Sequence, residues 1–359
     1  MTQTNKAISK RILFLDYLRI FAFVSVLIGH KFINYLTDFI KEPLAHATPR
    51  YIANLSLPLV KNGGAGVVVF FLISGYIITF VLQRELPKVF FIKRIFRIYP
   101  LYIIAVLMQV LTVWMINGSV PKLSVLIPQL LLIGDFFDAP YTLKGVEWTL
   151  RIEVLFYVFM GIASYLGLFK NKKRFFPYLI LLTVSILGVL MSFPGKVGSF
   201  DRTMLYAPFL LLGSLFYLNE KKEISAWFLF LGSIIVLSQY YYLTPIYQPH
   251  FINSHFATLS VLLFFFAWRY REIFESYPLV LFLSNLTYSV YLFHNWSWEP
   301  IKKVFSKLSI EILNSDIQAL FTVLLISTLT YYWIEKPGIR LGRTLLSRRK
   351  TTHKKSTAS

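Results

Sequence analysis

RILFLDYLRIFAFVSVLIGHKF, residues 11 to 32, decides the fold. A membrane span needs about 20 predominantly apolar residues, and this stretch qualifies, yet it carries Asp16, Arg19 and His30. Arg19 and His30 are eleven residues apart, almost three turns of helix, so their side chains share one face, which Asp16 joins. Ionisable groups inside a span normally face a bundle interior or an aqueous cavity and mark a substrate or proton path. The competing use is structural: an Asp16–Arg19 pair at i,i+3, with His30 at the headgroup interface beside a snorkelling Lys31.

The pattern continues outward from this stretch. Of 359 residues, 56% are hydrophobic, 18% aromatic and 15% charged, with a mean hydropathy of +0.60. No soluble domain has that balance. Ten stretches read as spans: 12 to 33, 64 to 82, 95 to 116, 146 to 169, 175 to 193, 203 to 218, 225 to 243, 254 to 268, 278 to 294 and 316 to 334. The remaining loops are too short for a separate soluble domain. The expected fold is therefore all-α, an integral membrane bundle of about ten helices. Residues 1–335 form the membrane domain and 336–359 a basic, disordered cytoplasmic tail. Residues 123 to 134, which contain Pro128, are too few to cross and read as an interfacial or re-entrant segment.

A net charge of +20 raises nucleic acid as a partner, but its distribution argues against one. With both termini cytoplasmic, 24 of the 37 Lys and Arg fall in or beside cytoplasmic segments, ten in external loops and three (Arg19, Lys31 and Arg151) within spans. That is the positive-inside bias of a multi-pass protein. KNKKR at 170 to 174, RYR at 269 to 271 and RRKTTHKK at 348 to 355 supply most of it, as orientation signals that touch lipid headgroups. With no cysteine there is no disulfide, thiolate or cysteine-based metal site, and no metal is expected. An A-x-A pattern at Ala45, His46 and Ala47 lies too far beyond the apolar run to be a signal-peptide cleavage site, so the first span is expected to be retained. No internal repeat is visible, which disfavours transporters built on inverted repeats.

Helical rise sets the depth of each polar group. Arg19 lies about 12 Å and His30 about 28 Å beyond Arg11, placing Arg19 mid-membrane and His30 near the outer face. Span four runs inward, and Glu153, about 10 Å past Val146, is expected in the outer half. Span nine ends outward at His294. His30, Glu153 and His294 are thus expected to converge near the outer surface. Arg94 and Arg97 open span three on the cytoplasmic side, where paired guanidiniums can grip phosphate. The layout fits a phosphorylated donor held from inside and a group delivered outside, with a histidine as general base for an acceptor hydroxyl. Acyl transfer from acyl-CoA needs these parts. Each residue also has a plainer use. Glu153 pairs equally well with Arg151; His294, beside Asn295, Trp296 and Trp298, fits an interfacial aromatic belt; Arg94 and Arg97 fit topology signals. Tyr288 and Tyr291 share a face with His294 and either line a sugar path or pack the core.

LDYLRIFAFVSVLIGH (15 to 30), GVVVFFLISGYIIT (66 to 79), FIKRIFRIYPLY (91 to 102), WTLRIEVLFY (148 to 157), YSVYLFHNW (288 to 296) and WIEKP (333 to 337) occur in this order. Together they resemble the acyltransferase 3 family, multipass membrane proteins that O-acylate, usually O-acetylate, cell-surface and secreted carbohydrates. The resemblance covers nearly the whole chain. It implies that Arg19 and His30 are catalytic, that R-x-x-R at Arg94 and Arg97 binds the acyl-CoA donor, and that acetyl-CoA is that donor. It also carries the family's Trp and Glu onto Trp148 and Glu153, its late histidine onto His294, and its Ser-Gly step onto Ser74 and Gly75. Val68 and Val154 stand where many relatives have acids, which points to a different acceptor.

The expected catalytic residues are therefore His30, Arg19 and Glu153, with Arg94 and Arg97 for the donor. Asp16, Ser74, Trp148, Tyr288, Tyr291 and His294 are expected to bind the carbohydrate acceptor, a surface polysaccharide or lipid-linked glycan. The protein is expected in the cell membrane, as a multi-pass protein of a bacterial plasma or inner membrane among its lipids. The rival reading is a transporter or translocator of a glycan or small metabolite, moving its cargo unchanged. A variant of the first has the acyl group carried on His30 before transfer.

Overall fold

The computed structural model describes residues 11–356 apart from 43–45, 138, 170–175, 193–200, 252–253 and 311, so Ala45 and the 170 to 174 cluster lie outside the described residues. Among the described residues there is no strand. Helix α1 (Leu13–Leu27) runs through a π turn, Ile28–Phe32, into α2 (Ile33–Lys41). There follow α3 (Ala47–Val60), α4 (Gly64–Leu82), α5 (Pro87–Asn117), α6 (Leu123–Leu130), α7 (Glu147–Tyr165) and α8 (Phe176–Ser192). The chain continues with α9 (Asp201–Glu220), α10 (Ala226–Tyr247), α11 (Phe256–Arg269), α12 (Pro278–Phe293) and α13 (Trp298–Lys307). Helix α14 (Ser315–Thr330) passes through a second π turn, Tyr331–Glu335, into α15 (Lys336–Ser356).

Each of the ten expected stretches falls on a helix, but among the described residues five helical stretches are both long and apolar enough to cross a membrane: Leu13–Lys41, Ala47–Leu82, Pro87–Asn117, Ala226–Tyr247 and Ser315–Ser347. Helices α8, α11 and α12 are apolar but only 17, 14 and 16 residues long. Helix α7 carries Glu147, Arg151 and Glu153 within two turns. The outer surface is apolar: on α5, Leu107, Leu111 and Met115 recur every fourth residue and are 45 to 74% exposed. Water would penalise such a stripe, and lipid accepts it.

The core is built around α4, which buries residues on all sides. Small residues set its spacing. A Cβ on Gly75 would stand 1.8 Å from the Leu210 carbonyl oxygen, and one on Gly213 2.2 Å from that of Leu72, so α4 and α9 touch backbone to backbone. Such contact is how apolar helices associate in lipid, where burial of oily surface gives no drive. Ser25 ties α1 to this core: its Oγ donates to the Leu59 carbonyl at 2.6 Å and accepts from Gly66 N at 3.1 Å, which satisfies an otherwise orphaned N–H in the first turn of α4.

Where a disordered tail is expected, Lys336–Ser356 is helical. Gly338 and Gly342 leave room for Phe96 and Pro100 of α5, with Cβ positions 2.8 to 3.1 Å from their atoms, so α15 lies against the start of the third expected span.

Candidate active site

Four neighbouring cavities run through the bundle. At one end a cavity of about 700 Å³ is lined by Arg11, Arg19, Lys93, Arg94, Arg97 and Arg343, with Glu85 in an ion pair with Lys93. It shares Arg19, Ile77, Arg94 and Arg97 with a pocket of about 50 Å³ whose other wall holds Ser74, Glu153, Tyr157 and Tyr288. That pocket shares Phe70 and Tyr288 with an apolar gap of about 20 Å³ lined also by Ala22, Phe23, Val26 and Tyr291. Val26, Val67 and Tyr291 then border the last cavity, about 560 Å³, which holds His30, His294 and Trp148. Ile12, Leu15, Arg19, Ala22, Val26 and His30 of the first span all face this line, as a 3.6-residue period requires.

His30 sits in the π turn and opens into the 560 Å³ cavity. Its Nδ1 lies 3.0 Å from Nε2 of His294, which is 2% exposed, and the rings stack at 5.2 Å. His294 Nδ1 lies 2.7 Å from the Tyr291 carbonyl oxygen. A carbonyl only accepts, so His294 Nδ1 carries the hydrogen; the bare Nε2 of neutral His294 must then accept from His30 Nδ1. That leaves His30 Nε2 unprotonated, the form a general base requires.

Asp16, expected to bind acceptor, is fully buried and lines none of these cavities. Its carboxylate accepts from Arg11 Nε at 2.5 Å and Nη2 at 3.1 Å, from Arg19 Nη1 at 2.8 Å and from Ser284 Oγ at 2.7 Å. The i,i+3 pair thus exists, but as part of an anchor that aims two guanidiniums at the basic cavity. Asp16→Ala is expected to destabilise the protein by about 1–3 kcal/mol, less than a fully buried pair because Arg11 and Arg19 keep some solvent. Thermal unfolding in nanodiscs would show this, and an unchanged midpoint would refute the anchor.

Glu153 is also displaced from its expected place. Its Oε1 accepts from Ser74 Oγ at 2.9 Å and Tyr157 OH at 2.5 Å, and it borders the pocket with Arg94 and Arg97 instead of the His30 cavity. Glu147, at the start of α7, is fully buried under the preceding loop and accepts from Leu143 N. Arg94 lies 5.6 Å from the Tyr157 ring, a cation–π contact that holds it toward Glu153.

Of the residues expected to bind acceptor, Trp148, His294 and Tyr291 border the 560 Å³ cavity, Tyr288 and Tyr291 border the apolar gap, and Ser74 lies with Glu153. Tyr291 OH meets Thr149 Oγ1 at 2.6 Å, and Tyr288 OH donates to the Ile98 carbonyl at 2.8 Å. Sequence reasoning missed Arg11, Arg343, Tyr157, Lys144 and Arg202. Tyr157 was accessible in principle, standing four residues from Glu153 on one helix face. Arg343 reaches the basic cavity only because α15 docks on α5.

A protein-family profile described as "Acyltransferase domain" matches residues 12–335. The chain is similar to the "Exopolysaccharide production protein ExoZ" of Rhizobium meliloti (strain 1021), 26% identical over 307 residues, covering 78% of this chain and 91% of that protein. It is also similar to a "Putative O-acetyltransferase" of Staphylococcus aureus (strain COL), 26% identical over 292 residues, covering 68% of this chain. The match takes in 47% of that longer protein, so the chain spans about half its length. No solved structure gives a significant match.

Proposed function

This chain belongs to the acyltransferase domain family, and from that premise we propose that it is a multi-pass O-acyltransferase of the bacterial cell membrane. It moves an acetyl group from cytoplasmic acetyl-CoA to a hydroxyl of an external or lipid-linked carbohydrate. In this reading ten helical stretches thread the bilayer, those shorter than 18 residues crossing where the bundle thins it, and both termini are cytoplasmic. The names of the relatives, an exopolysaccharide production protein and an O-acetyltransferase, agree with this assignment.

The observation that carries the reading is the line of cavities joining a six-cation basin to a histidine with a free Nε2. Arg19, Arg94 and Arg97, with Arg11, Lys93 and Arg343, hold the phosphates of the donor, whose thiol arm extends through the apolar gap. Glu153 positions Arg94 and Arg97. At the far end the acceptor hydroxyl gives its proton to His30 Nε2 as its oxygen attacks the thioester carbonyl. The tetrahedral adduct collapses, the C–S bond breaks, and the departing thiolate takes the proton from the imidazolium. Products are the ester and the free thiol. His294 acts through His30: its Nε2 accepts a hydrogen bond that becomes charge-assisted when the ring is protonated.

The test is transfer of labelled acetyl from acetyl-CoA to glycans by the purified chain in nanodiscs, read by mass spectrometry alongside donor binding. Arg94→Ala and Arg97→Ala are each expected to weaken donor affinity by about 10- to 100-fold, the range for a lost hydrogen bond to a charged group. Label that crosses the bilayer with no covalent product would replace this reading with that of a transporter.

A further inference from the structure

The six cations of the 700 Å³ basin fall into two sets. Arg19, Arg94 and Arg97 also border the narrow pocket that leads inward, whereas Arg11, Lys93 and Arg343 line the basin but not that pocket. The outer three differ in what already holds them. Arg11 is committed to Asp16 and Lys93 to Glu85, each through an ion pair. Arg343 is exposed and makes no ion pair or hydrogen bond among the described residues.

Arg343 is placed by the helix that carries it. Residues four apart lie one above the other on a helix, so Gly338 and Gly342 form one row of α15 and Ile339 and Arg343 the next row round. The glycine row lies against α5, where a Cβ on Gly342 would stand 2.8 Å from Phe96 Cβ. Ile339 and Arg343 both line the basin. Close docking of one row thus aims the other at the cavity. The family profile ends at residue 335 and α15 begins at Lys336, so this cation comes from outside the matched segment.

The donor proposed above carries phosphate in two places. A pyrophosphate follows directly on the thiol arm, and a further phosphate sits on the ribose, farther from the thiol. With the arm running inward past Arg19, Arg94 and Arg97, the pyrophosphate falls among these inner guanidiniums and the ribose phosphate toward the outer set. Resting on the function proposed above, we infer that Arg343 of α15 is a specificity residue that holds the ribose phosphate of the donor. Among the described residues it is the outer cation without an acid partner, and its planar fork of N–H donors suits a phosphate monoester. The complete coenzyme is then preferred over the form that lacks this phosphate.

Equilibrium binding to the full chain in phosphatidylcholine nanodiscs tests this without relying on catalysis. The probes are CoA and dephospho-CoA, which lacks only the ribose phosphate. CoA is expected to bind about tenfold tighter, the low end for a hydrogen bond to a charged group because Arg343 is exposed. Arg343→Gln should remove that preference, weakening CoA by about tenfold and leaving dephospho-CoA unchanged, while Arg343→Lys keeps part of it. Gly342→Leu should act as Arg343→Gln does, since it pushes α15 off Phe96 with the guanidinium intact. Thermal midpoints identify a variant that has simply unfolded. Equal binding of the two probes by the unaltered chain, or a preference that survives Arg343→Gln, overturns the inference even if Arg94→Ala and Arg97→Ala weaken CoA as expected above. So does a preference that disappears when phosphatidylglycerol is added, which assigns Arg343 to lipid headgroups. Failure of the unaltered chain to bind either probe would instead overturn the function assigned above.

Discussion

His30→Ala is expected to lower the rate of acetyl transfer by about 10²- to 10⁴-fold, the usual contribution of a positioned general base. The Tyr291 carbonyl fixes the proton on His294 Nδ1, which makes His294 an acceptor for His30 and leaves His30 Nε2 open to the cavity. Donor affinity should be unchanged, because the cations proposed to hold the donor phosphates line the opposite end of the cavity line and His30 borders none of that basin. A fall in kcat with intact acetyl-CoA binding and an unaltered thermal midpoint is therefore the expected signature. His294→Ala should cost less, since it removes the orienting partner and leaves the base. Transfer by His30→Ala at more than about a tenth of the normal rate would eliminate the imidazole as base, because loss of general-base catalysis cannot be so small.

The second large effect is predicted for Gly29, which lines none of the four cavities. A Cβ on Gly29 would lie 2.2 Å from the Val60 carbonyl oxygen and 2.3 Å from Gly63 N, both backbone atoms. No rotamer change relieves such contacts. The π turn must separate from Lys61–Gly63, where Asn62 and Gly63 hold left-handed φ values of 56° and 68° and have little freedom to retreat. Gly29→Ala should destabilise the protein by about 1–3 kcal/mol or more, as overpacking does. Because His30 is the next residue, transfer should fall at least tenfold even in the folded fraction, a loss typical of small misplacements of reacting groups. Denaturation midpoints and single-turnover transfer measure the two effects separately. Near-normal values in both would show that the π turn tolerates displacement.

The parts of this picture that follow from periodicity were legible in the sequence. A helical bundle, apolar stretches at the observed helices, and a shared face for Arg19 and His30 all follow from residue spacing. What depends on tertiary contact was not. Asp16 looks like a pocket residue until Arg11 and Ser284, one before α1 and the other 268 residues away, are seen to close around it. Nothing in residues 139 to 147 announces that Glu147 at the start of α7 is fully buried, or that Glu153 borders the pocket of Arg94 and Arg97. Arg343 belongs to the basic basin only through the glycine notch of α15, and the π turn that carries His30 has no pattern that distinguishes it from ordinary helix. Ten stretches read as spans in the sequence, whereas five helices among the described residues are long and apolar enough by themselves.

The narrow apolar gap between Phe70, Tyr288 and Tyr291 has a consequence for the cell as a whole. Two watery vestibules facing opposite sides of a membrane would, if joined, discharge its ion gradients. A gap of about 20 Å³ is roughly the size of a single water site, far narrower than the cavities on either side of it. In the function proposed above, an uncharged acyl arm would fill that gap with its own atoms, so that transfer across a bilayer would not require a wide aqueous path.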